Sequence, residues 1–332
     1  MSLTPTIYRS TDPGAPLLSG TAGALLTVLD AVLVDGYGLG ESRKAGMGWT
    51  KAFSGSGLRA YRGSPITGSG YYLRVDDTAA RSSLLRGYSS MSDINTGTDP
   101  VPSDAMKSIG SRWDKSNNAS AEARHWVAVG NERFFYLFID TAGLFASQGT
   151  QGTYGHYAGD MISMRPGDRH NFCVSYKGSD AEAVSTIGYA FKAQSGWSNA
   201  PSSDPVTSAF VGRSFTGTPG SVRVLLSAPG QNSGGLVGSL SAFPAYPYPG
   251  NGGLLYGSID VLEGAYQPRG RLPGIYAPIH RRPFPDQGQI TDVEGLPFGT
   301  VLMAKHVSGE TMSGFQDSYT GQILIDMTNA WE

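Results

Sequence analysis

The chain is poor in charged residues and has no excess of basic ones. Charged residues make up 16% of its 332 residues, compared with about 25% in an average soluble domain. The net charge is −2 and the pI is near 6.2. Proteins that wrap nucleic acid normally carry a clear basic excess. We therefore expect no direct nucleic-acid partner.

Cysteine and long apolar runs are also scarce. Cys173 is the only cysteine, so no intrachain disulfide can form, and we expect this residue to be small and buried. A disulfide-free chain suits assembly in a reducing cytoplasm. The longest mostly apolar stretch, residues 22–34, is too short to span a bilayer and contains Asp30. Residues 1–10 lack the pattern of a signal peptide, so we expect neither a membrane span nor ordinary secretion.

Motifs that carry catalysis or bind cofactors are missing. Asp76 and Asp77 follow a predicted strand and should point to opposite faces, which favours turn formation over a paired acid–base role. The glycine-rich strings at residues 14–23 and 36–40 lack the lysine or the strand context of phosphate- and dinucleotide-binding loops. None of the histidines has the spacing of a zinc site; they are His125, His156, His170, His280 and His306. We expect no enzymatic activity, cofactor or metal.

Glycine, proline and aromatic residues are abundant. The chain has 46 Gly and 20 Pro, a mixture typical of short strands joined by tight turns. With 17 Tyr, 13 Phe and 5 Trp, it carries too many large apolar side chains to remain disordered. We predict a mainly β fold, an antiparallel sandwich-like architecture with one N-terminal helix.

The helix is predicted near the start of the chain. Ser19 or Thr21 can cap it, and Asp35-Gly36 can end it. The apolar residues that recur at helical spacing are Leu25, Leu26, Val28, Leu29, Val32 and Leu33. This apolar helix could pack either on its own sheet or on a neighbouring subunit.

Strand-like runs separated by turn residues follow the helix. They lie at residues 48–53, 58–62, 71–75, 84–88, 125–129, 133–139, 172–176, 184–191, 209–215, 222–226, 257–262, 301–306 and 322–327. The run 134–139 is apolar on both faces, which predicts a central strand covered on each side. Residues 143–159 are glycine-rich and are either a long loop or the boundary between two lobes. We therefore divide the chain into residues 1–150, the helix with a β domain, and residues 151–332, a second β domain with a Gly/Pro/Tyr-rich loop.

Two apolar segments are candidates for contacts between subunits. One is the apolar N-terminal segment, residues 17–34. The other is the Pro/Tyr-rich stretch 243–249, which favours an extended conformation. The predicted interface residues are Leu17, Leu18, Leu25, Leu29, Phe243, Tyr246 and Tyr248.

Several linked motifs resemble a family of tailed-bacteriophage and prophage virion structural proteins. In chain order they are GAPLLSGTAGALL at 14–26, GWTKAFSG at 48–55, YLRVDDT at 72–78, RGYSSMSD at 86–93, GRLPGIYAP at 270–278, and ILIDM at 323–327 running into Trp331. The likeness covers roughly the first 95 and the last 65 residues. It implies a component of the neck or collar, the tail or the baseplate, with no catalytic residues to transfer. The expected location is the virion, assembled in the host cytoplasm, with copies of this chain and other virion proteins as partners.

A second class of function remains open from the sequence. Tryptophan and tyrosine stack well on sugars and are also enriched at protein interfaces. The chain has 17 tyrosines and five tryptophans, and the tryptophans are Trp49, Trp113, Trp126, Trp197 and Trp331. The alternative is therefore a receptor- or carbohydrate-binding module at the tail tip, with a host glycan as partner.

Overall fold

The computed structural model describes residues 4–141, 153–176, 209–227, 256–264, 267–278, 284–293, 295–308, 320–329 and 331. The fold is mainly β, with 45% strand and 7% helix, and every strand pair described is antiparallel. Within these residues one α-helix is present, α1 (Ala24–Leu29). The strands are β1 (Thr6–Arg9), β2 (Thr50–Gly55), β3 (Leu58–Arg62), β4 (Tyr72–Asp76), β5 (Ser82–Tyr88), β6 (Ser90–Met91), β7 (Gly97–Thr98), β8 (Ser111–Asp114), β9 (Trp126–Gly130), β10 (Phe134–Asp140), β11 (Thr153–Asp160), β12 (Ile162–Ser163), β13 (Phe172–Ser175), β14 (Ala209–Val211), β15 (Val222–Ser227), β16 (Tyr256–Glu263), β17 (Gln267–Pro278), β18 (Gln289–Thr291), β19 (Val301–Ser308) and β20 (Thr320–Asp326).

A large and a small sheet form a sandwich-like architecture. The large sheet has 13 strands in the order β1-β9-β10-β11-β13-β14-β15-β16-β17-β20-β19-β18, with β12 beside β17. The small sheet has five strands in the order β2-β3-β4-β5-β8, and β6 and β7 form a separate hairpin. The predicted mainly β, antiparallel, sandwich-like fold with one helix is confirmed.

Strand β10 lies between two hydrophobic cores, as the apolar run 134–139 predicts. Alternate side chains point to opposite faces of a strand. Phe135 and Leu137 face a core shared with α1 and the small sheet. Phe134 and Tyr136 face a second core, shared with strands β15, β16, β17, β19 and β20. Both faces of this strand are therefore buried.

The large sheet folds over so that its two ends meet. The Arg9 side chain at the end of β1 donates Nε to Gln287 Oε1 at 3.0 Å, and its Nη2 lies 3.6 Å from Met303 Sδ in β19. These contacts join residues that are 278 and 294 positions apart in the chain. The second core is enclosed between the two halves of the sheet.

The helix ends where the sequence predicts, but its cap is different. After Leu29 the chain continues in a π-helical turn, Asp30–Asp35, and leaves it at Gly36 with φ 71°. The N-cap position is Gly23, and no side chain at that position caps the helix. Asp77 accepts the Leu25 N–H at Oδ2, at 2.8 Å. The expected cap from Ser19 or Thr21 is therefore wrong, because a carboxylate from a distant turn takes that role.

Asp77 also anchors a buried ion pair. Its Oδ1 accepts hydrogen bonds from Ser83 Oγ, at 2.6 Å, and from Lys115 Nζ. The side chains of Asp77 and Lys115 are fully buried. Asp76 instead accepts two bonds from Thr78 in a turn. Asp76 and Asp77 therefore point in different directions, as predicted, and Asp76 has the predicted role in a turn. Asp77 instead joins the helix to the small sheet.

Strand β11 corrects the interpretation of residues 143–159. Residues 153–160 form a strand that pairs with β10 over seven residue pairs, from Phe134↔Gly159 to Asp140↔Thr153. Glycine is needed at 159, since a Cβ there would lie 2.3 Å from Phe134 Cα. Strands on both sides of residue 150 therefore belong to one sheet, and the division into domains at that residue stays a prediction. The predicted strand 184–191 lies outside the described residues.

Candidate functional site

Four loops meet at one end of the molecule and form its most distinctive surface. They are residues 63–71 between β3 and β4, residues 99–110 between β7 and β8, residues 164–171 between β12 and β13, and residues 212–221 between β14 and β15. We call this surface the loop-end face. A chain of side-chain contacts fixes each loop to the next, as described below.

Tyr71 connects the first and third loops. Its hydroxyl lies 2.8 Å from His170 Nδ1, and its ring stacks on Phe172 with centroids 5.1 Å apart. Burial raises the pKa of Tyr71, so its hydroxyl stays protonated. Burial, together with the charge of Arg213, lowers the pKa of His170. At neutral pH a protonated Tyr71 can therefore donate to an uncharged His170.

Ser69 fastens the first loop to the end of β11. Its N–H and its Oγ donate to the two carboxylate oxygens of Asp160, at 2.6 and 2.5 Å. Burial raises the pKa of Asp160, and the hydrogen bonds from Ser69 oppose this rise. Thr67 Oγ1 adds a bond to Glu132 Oε1 at 2.5 Å. The loop is thus held at several points along its length.

Arg269 fastens the third and fourth loops. Its guanidinium is fully buried and donates to Asp168 Oδ2 at 2.5 Å and to Ser163 Oγ at 2.6 Å. Nε and Nη2 also lie 3.3 Å from the carbonyl oxygen of Arg213. Asp168 Oδ1 accepts the His170 N–H at 2.9 Å. One arginine therefore holds two loops through acceptors that are far apart in sequence.

The second loop is joined to the fourth by polar contacts. Ser103 N–H donates to Ser221 Oγ at 2.7 Å. Arg213 Nη2 lies 3.9 Å from Asp99 Oδ2. The four loops consequently form one connected and immobilised surface.

Each of these loops presents one large apolar side chain to solvent. Ile66 is 93% exposed, Met164 51%, Ile109 41% and Phe215 40%. In the described part of the chain, three other large hydrophobic residues are exposed, and they are Leu17, Leu39 and Phe298. Apolar groups exposed on a folded protein, when they lie near one another, commonly mark interaction sites. Because the loops are already ordered, a partner would meet little cost of ordering them.

The polar network beneath the loop-end face joins the loops to one another. The side-chain partner of His170 is a tyrosine with a raised pKa, and the carboxylate of Asp160 is hydrogen-bonded to Ser69. A depression beside Asp160 and Arg133 has an empty volume of about 150 Å³. Its lining includes Ser69 and Tyr71, the residues that fix the first loop.

Most of the predicted interface residues that the structure describes are buried within the chain. Leu18 and Leu25 are 0% exposed and Leu29 is 1% exposed, and all three belong to the core beneath α1. The helix therefore packs on its own chain, which is one of the two options left open by the sequence. These three side chains cannot contact a neighbouring subunit without leaving that core. Leu17 is 58% exposed and stays a candidate. Phe243, Tyr246 and Tyr248 lie outside the described residues.

The other residues singled out from the sequence are mostly structural. Cys173 is buried as predicted, and burial raises the pKa of its thiol. His156 stacks on Trp113 with centroids 4.7 Å apart. The described tryptophans, Trp49, Trp113, Trp126 and Trp331, are at most 3% exposed, so they offer no surface for stacking on a sugar. Trp197 lies outside the described residues.

Two searches of the described residues gave negative results. No group of three or more His, Cys, Asp or Glu side chains in that part of the chain could hold a metal ion. No helix there has the length and apolar character needed to cross a membrane.

The sequence reasoning missed the apolar residues of the loop-end face. Each stands alone among turn-forming or polar neighbours, as in Pro65-Ile66-Thr67 and Ser214-Phe215-Thr216. A large apolar residue isolated in a turn could have been the signal. Its importance depends on the loops meeting in space, which local sequence does not show.

Compared with known proteins, the chain matches no protein-family model and no curated protein. Function is therefore inferred from its own residues and geometry.

Proposed function

We propose that the chain is a structural component of a tailed-phage particle, in the neck or collar, the tail or the baseplate, and that it acts through protein–protein assembly. The observation that carries the proposal is the loop-end face, on which four immobilised loops each expose a large apolar side chain. The resemblance of the N-terminal and C-terminal motifs to phage virion proteins supports the same role.

The sheet edges favour contact through loops rather than through added strands. Open strand edges invite pairing with other chains, and proteins commonly shorten, bulge or cover them. Strand β18 has three residues, and β2 has a register irregularity between Lys51 and Phe53. Beside β1, Lys44 Nζ donates to Ile7 O at 2.9 Å and Tyr8 OH donates to Ala45 O at 2.5 Å. The loop-end face is thus the more suitable surface for assembly.

The first test is the mass of the purified chain by light scattering, followed by electron microscopy of the same sample. We expect a discrete oligomer or a closed ring. Ile66→Ser should raise the dissociation constant about tenfold or more, since an interface hot spot contributes about 2 kcal/mol or more and about 1.4 kcal/mol corresponds to a factor of ten. Leu39→Ser is the matched control, because Leu39 is 88% exposed but lies outside the loop-end face.

The two variants also separate assembly from folding. Both replace an exposed side chain, so each should change the free energy of unfolding by no more than about 0.5 kcal/mol. The proposal is wrong if the wild-type chain stays monomeric and also is not incorporated into particles when it is expressed in cells infected by a phage that lacks its gene. The tail-tip receptor-binding alternative would then be tested on a glycan array.

A further inference from the structure

The outward face of the small sheet is rich in arginine and aromatic residues. Strand register places these side chains in adjacent rows, and inward neighbours such as Leu73, Val75 and Leu85 are buried in the core. The outward residues are Phe53, Arg62, Tyr72, Arg74, Arg86, Tyr88 and Arg112, all partly exposed. We call this surface the arginine–tyrosine face.

Tyr72 stands at the centre of one row. It lies opposite Arg62 on β3 and opposite Tyr88 on β5. The guanidinium carbon of Arg62 is 4.9 Å from the centroid of the Tyr72 ring, and Phe53 stacks on the same ring at 6.3 Å. The ring is therefore already in contact with its neighbours on the sheet. The described hydrogen bond of Arg62 uses Nε, which donates to Gly70 O at 3.2 Å, so both Nη groups remain available for a partner.

The face concentrates positive charge in a chain whose net charge is −2. Arg74 and Arg86 lie directly opposite each other on neighbouring strands, a placement in which like charges repel. Asp76 is the one partly exposed carboxylate on the outward strand positions, and Asp104 from a neighbouring turn pairs with Arg86. Asp76 and Asp104 lie beside Arg74 and Arg86, whereas the described hydrogen bond of Arg62 is to a carbonyl oxygen. An anionic partner would give Arg62 a counter-charge.

We propose that the arginine–tyrosine face binds an acidic segment of another protein. The guanidinium group of arginine can form two parallel hydrogen bonds to one carboxylate. Arg and Tyr are also enriched among the residues that contribute most to binding at protein interfaces. Single-stranded nucleic acid would instead need free ring faces for its bases, and the ring of Tyr72 is already occupied by Arg62 and Phe53. This face adjoins the loop-end face, since Gly70 and Asp104 of that face's loops contact Arg62 and Arg86. The inference does not depend on the phage assignment.

Fluorescence anisotropy with a labelled deca-glutamate peptide tests the proposal on the full chain. We expect saturable binding that weakens as salt is raised. Arg62→Ala should weaken it about tenfold, the usual effect of losing a charge-assisted hydrogen bond. Arg62→Lys should fall between wild type and Arg62→Ala, because lysine keeps the charge and loses the fork. The matched control is Arg43→Ala, which removes the same charge from an exposed loop position outside both faces and should change binding by less than about twofold.

The contrary outcomes are distinct. Absence of saturable peptide binding overturns the proposal, and so does an equal loss in Arg62→Ala and Arg43→Ala. A decathymidylate oligonucleotide or an oligogalacturonate that binds more tightly than the peptide would reassign the face to nucleic acid or to an acidic glycan. Circular dichroism of each variant distinguishes loss of binding from loss of folding.

Discussion

Asp168→Asn is the sharpest perturbation of the loop-end face. The substitution keeps the size of the side chain and removes the charge that faces Arg269. Arg269 is 0% exposed and Asp168 is 3% exposed at the side chain. Their contact is 2.5 Å long, and the same carboxylate also accepts bonds from Ser163 Oγ and the His170 N–H. The variant leaves the buried guanidinium with one carboxylate, that of Glu263, whose Oε2 lies 3.9 Å from Arg269 Nε.

The expected cost is large compared with total stability. Removing one partner of a buried ion pair typically costs about 3–5 kcal/mol, because the remaining charge stays uncompensated. A domain has only about 5–15 kcal/mol of net stability. Arg269 keeps two weaker acceptors, the Ser163 hydroxyl and the Arg213 carbonyl, and the more distant Glu263 carboxylate, so we expect the lower end of that range, about 3 kcal/mol. The double variant Asp168→Asn with Arg269→Met should recover part of the loss.

The cost should depend on pH in a defined direction. Burial alone would raise the pKa of Asp168, but hydrogen bonds from Ser163, His170 and Arg269 together hold it below the ordinary value of 3.8. A carboxyl whose folded pKa is depressed stabilises the protein above its unfolded pKa and loses that effect as pH falls through the folded value. The difference between wild type and Asp168→Asn should therefore be full at pH 7 and shrink below pH 3.8.

Urea unfolding followed by tryptophan fluorescence at pH 7 and at pH 3 measures both effects. A cost below about 1 kcal/mol at pH 7 would mean that the pair adds little beyond an ordinary hydrogen bond. An equal cost at the two pH values would refute the assigned role of the carboxylate charge. Double-mutant analysis with Arg269→Met then isolates the pairwise energy.

Three further predictions concern the cores and the polar network. Trp331→Ala should lower the free energy of unfolding by about 3–5 kcal/mol in chemical denaturation, because its ring stacks on Phe134 at 5.5 Å and is 3% exposed; a loss below about 1 kcal/mol would contradict this packing. The pKa of His170 lies below 6.5 in the folded state, so stability should fall as pH decreases through 6.5, and the urea midpoint of His170→Gln should change less between pH 7.5 and 5.5 than that of wild type. Lys115→Met should cost about 3–5 kcal/mol by leaving the Asp77 carboxylate buried and unpaired; recovery of part of that loss in a Lys115→Met, Asp77→Asn double variant would support the assignment, and no recovery would count against it.

Elements with a regular apolar pattern could be predicted from the sequence. The run 134–139 predicts a central strand, and β10 is buried on both faces. Strand β3 matches its predicted bounds, residues 58–62. By contrast, β17 (Gln267–Pro278) contains three prolines and two glycines, which locally favour turns. Its pairing with β16 has two register irregularities, so the sheet tolerates residues that the local pattern assigns to loops.

The candidate site could not be predicted in the same way. The Tyr71–His170 bond spans 99 positions and the Arg269–Asp168 bond spans 101. Contacts of this separation depend on the order of strands in the sheet, and no local period encodes that order. The interface residues expected on the helix are buried for a related reason. An apolar stripe on a helix shows that this face of the helix must be buried, but it does not show whether the same chain or a neighbouring subunit buries it.

The meeting of the two ends of the large sheet has a consequence for biosynthesis. Arg9 contacts Met303, 294 positions later in the chain. At roughly 5–20 residues per second, the ribosome needs about 15–60 s to make that intervening length. During this interval the second core cannot close, and the face of β10 that carries Phe134 and Tyr136 stays accessible to other chains. We expect the nascent protein to depend on chaperones until its last strands emerge, and truncation before β19 to yield an aggregating chain instead of a smaller folded one.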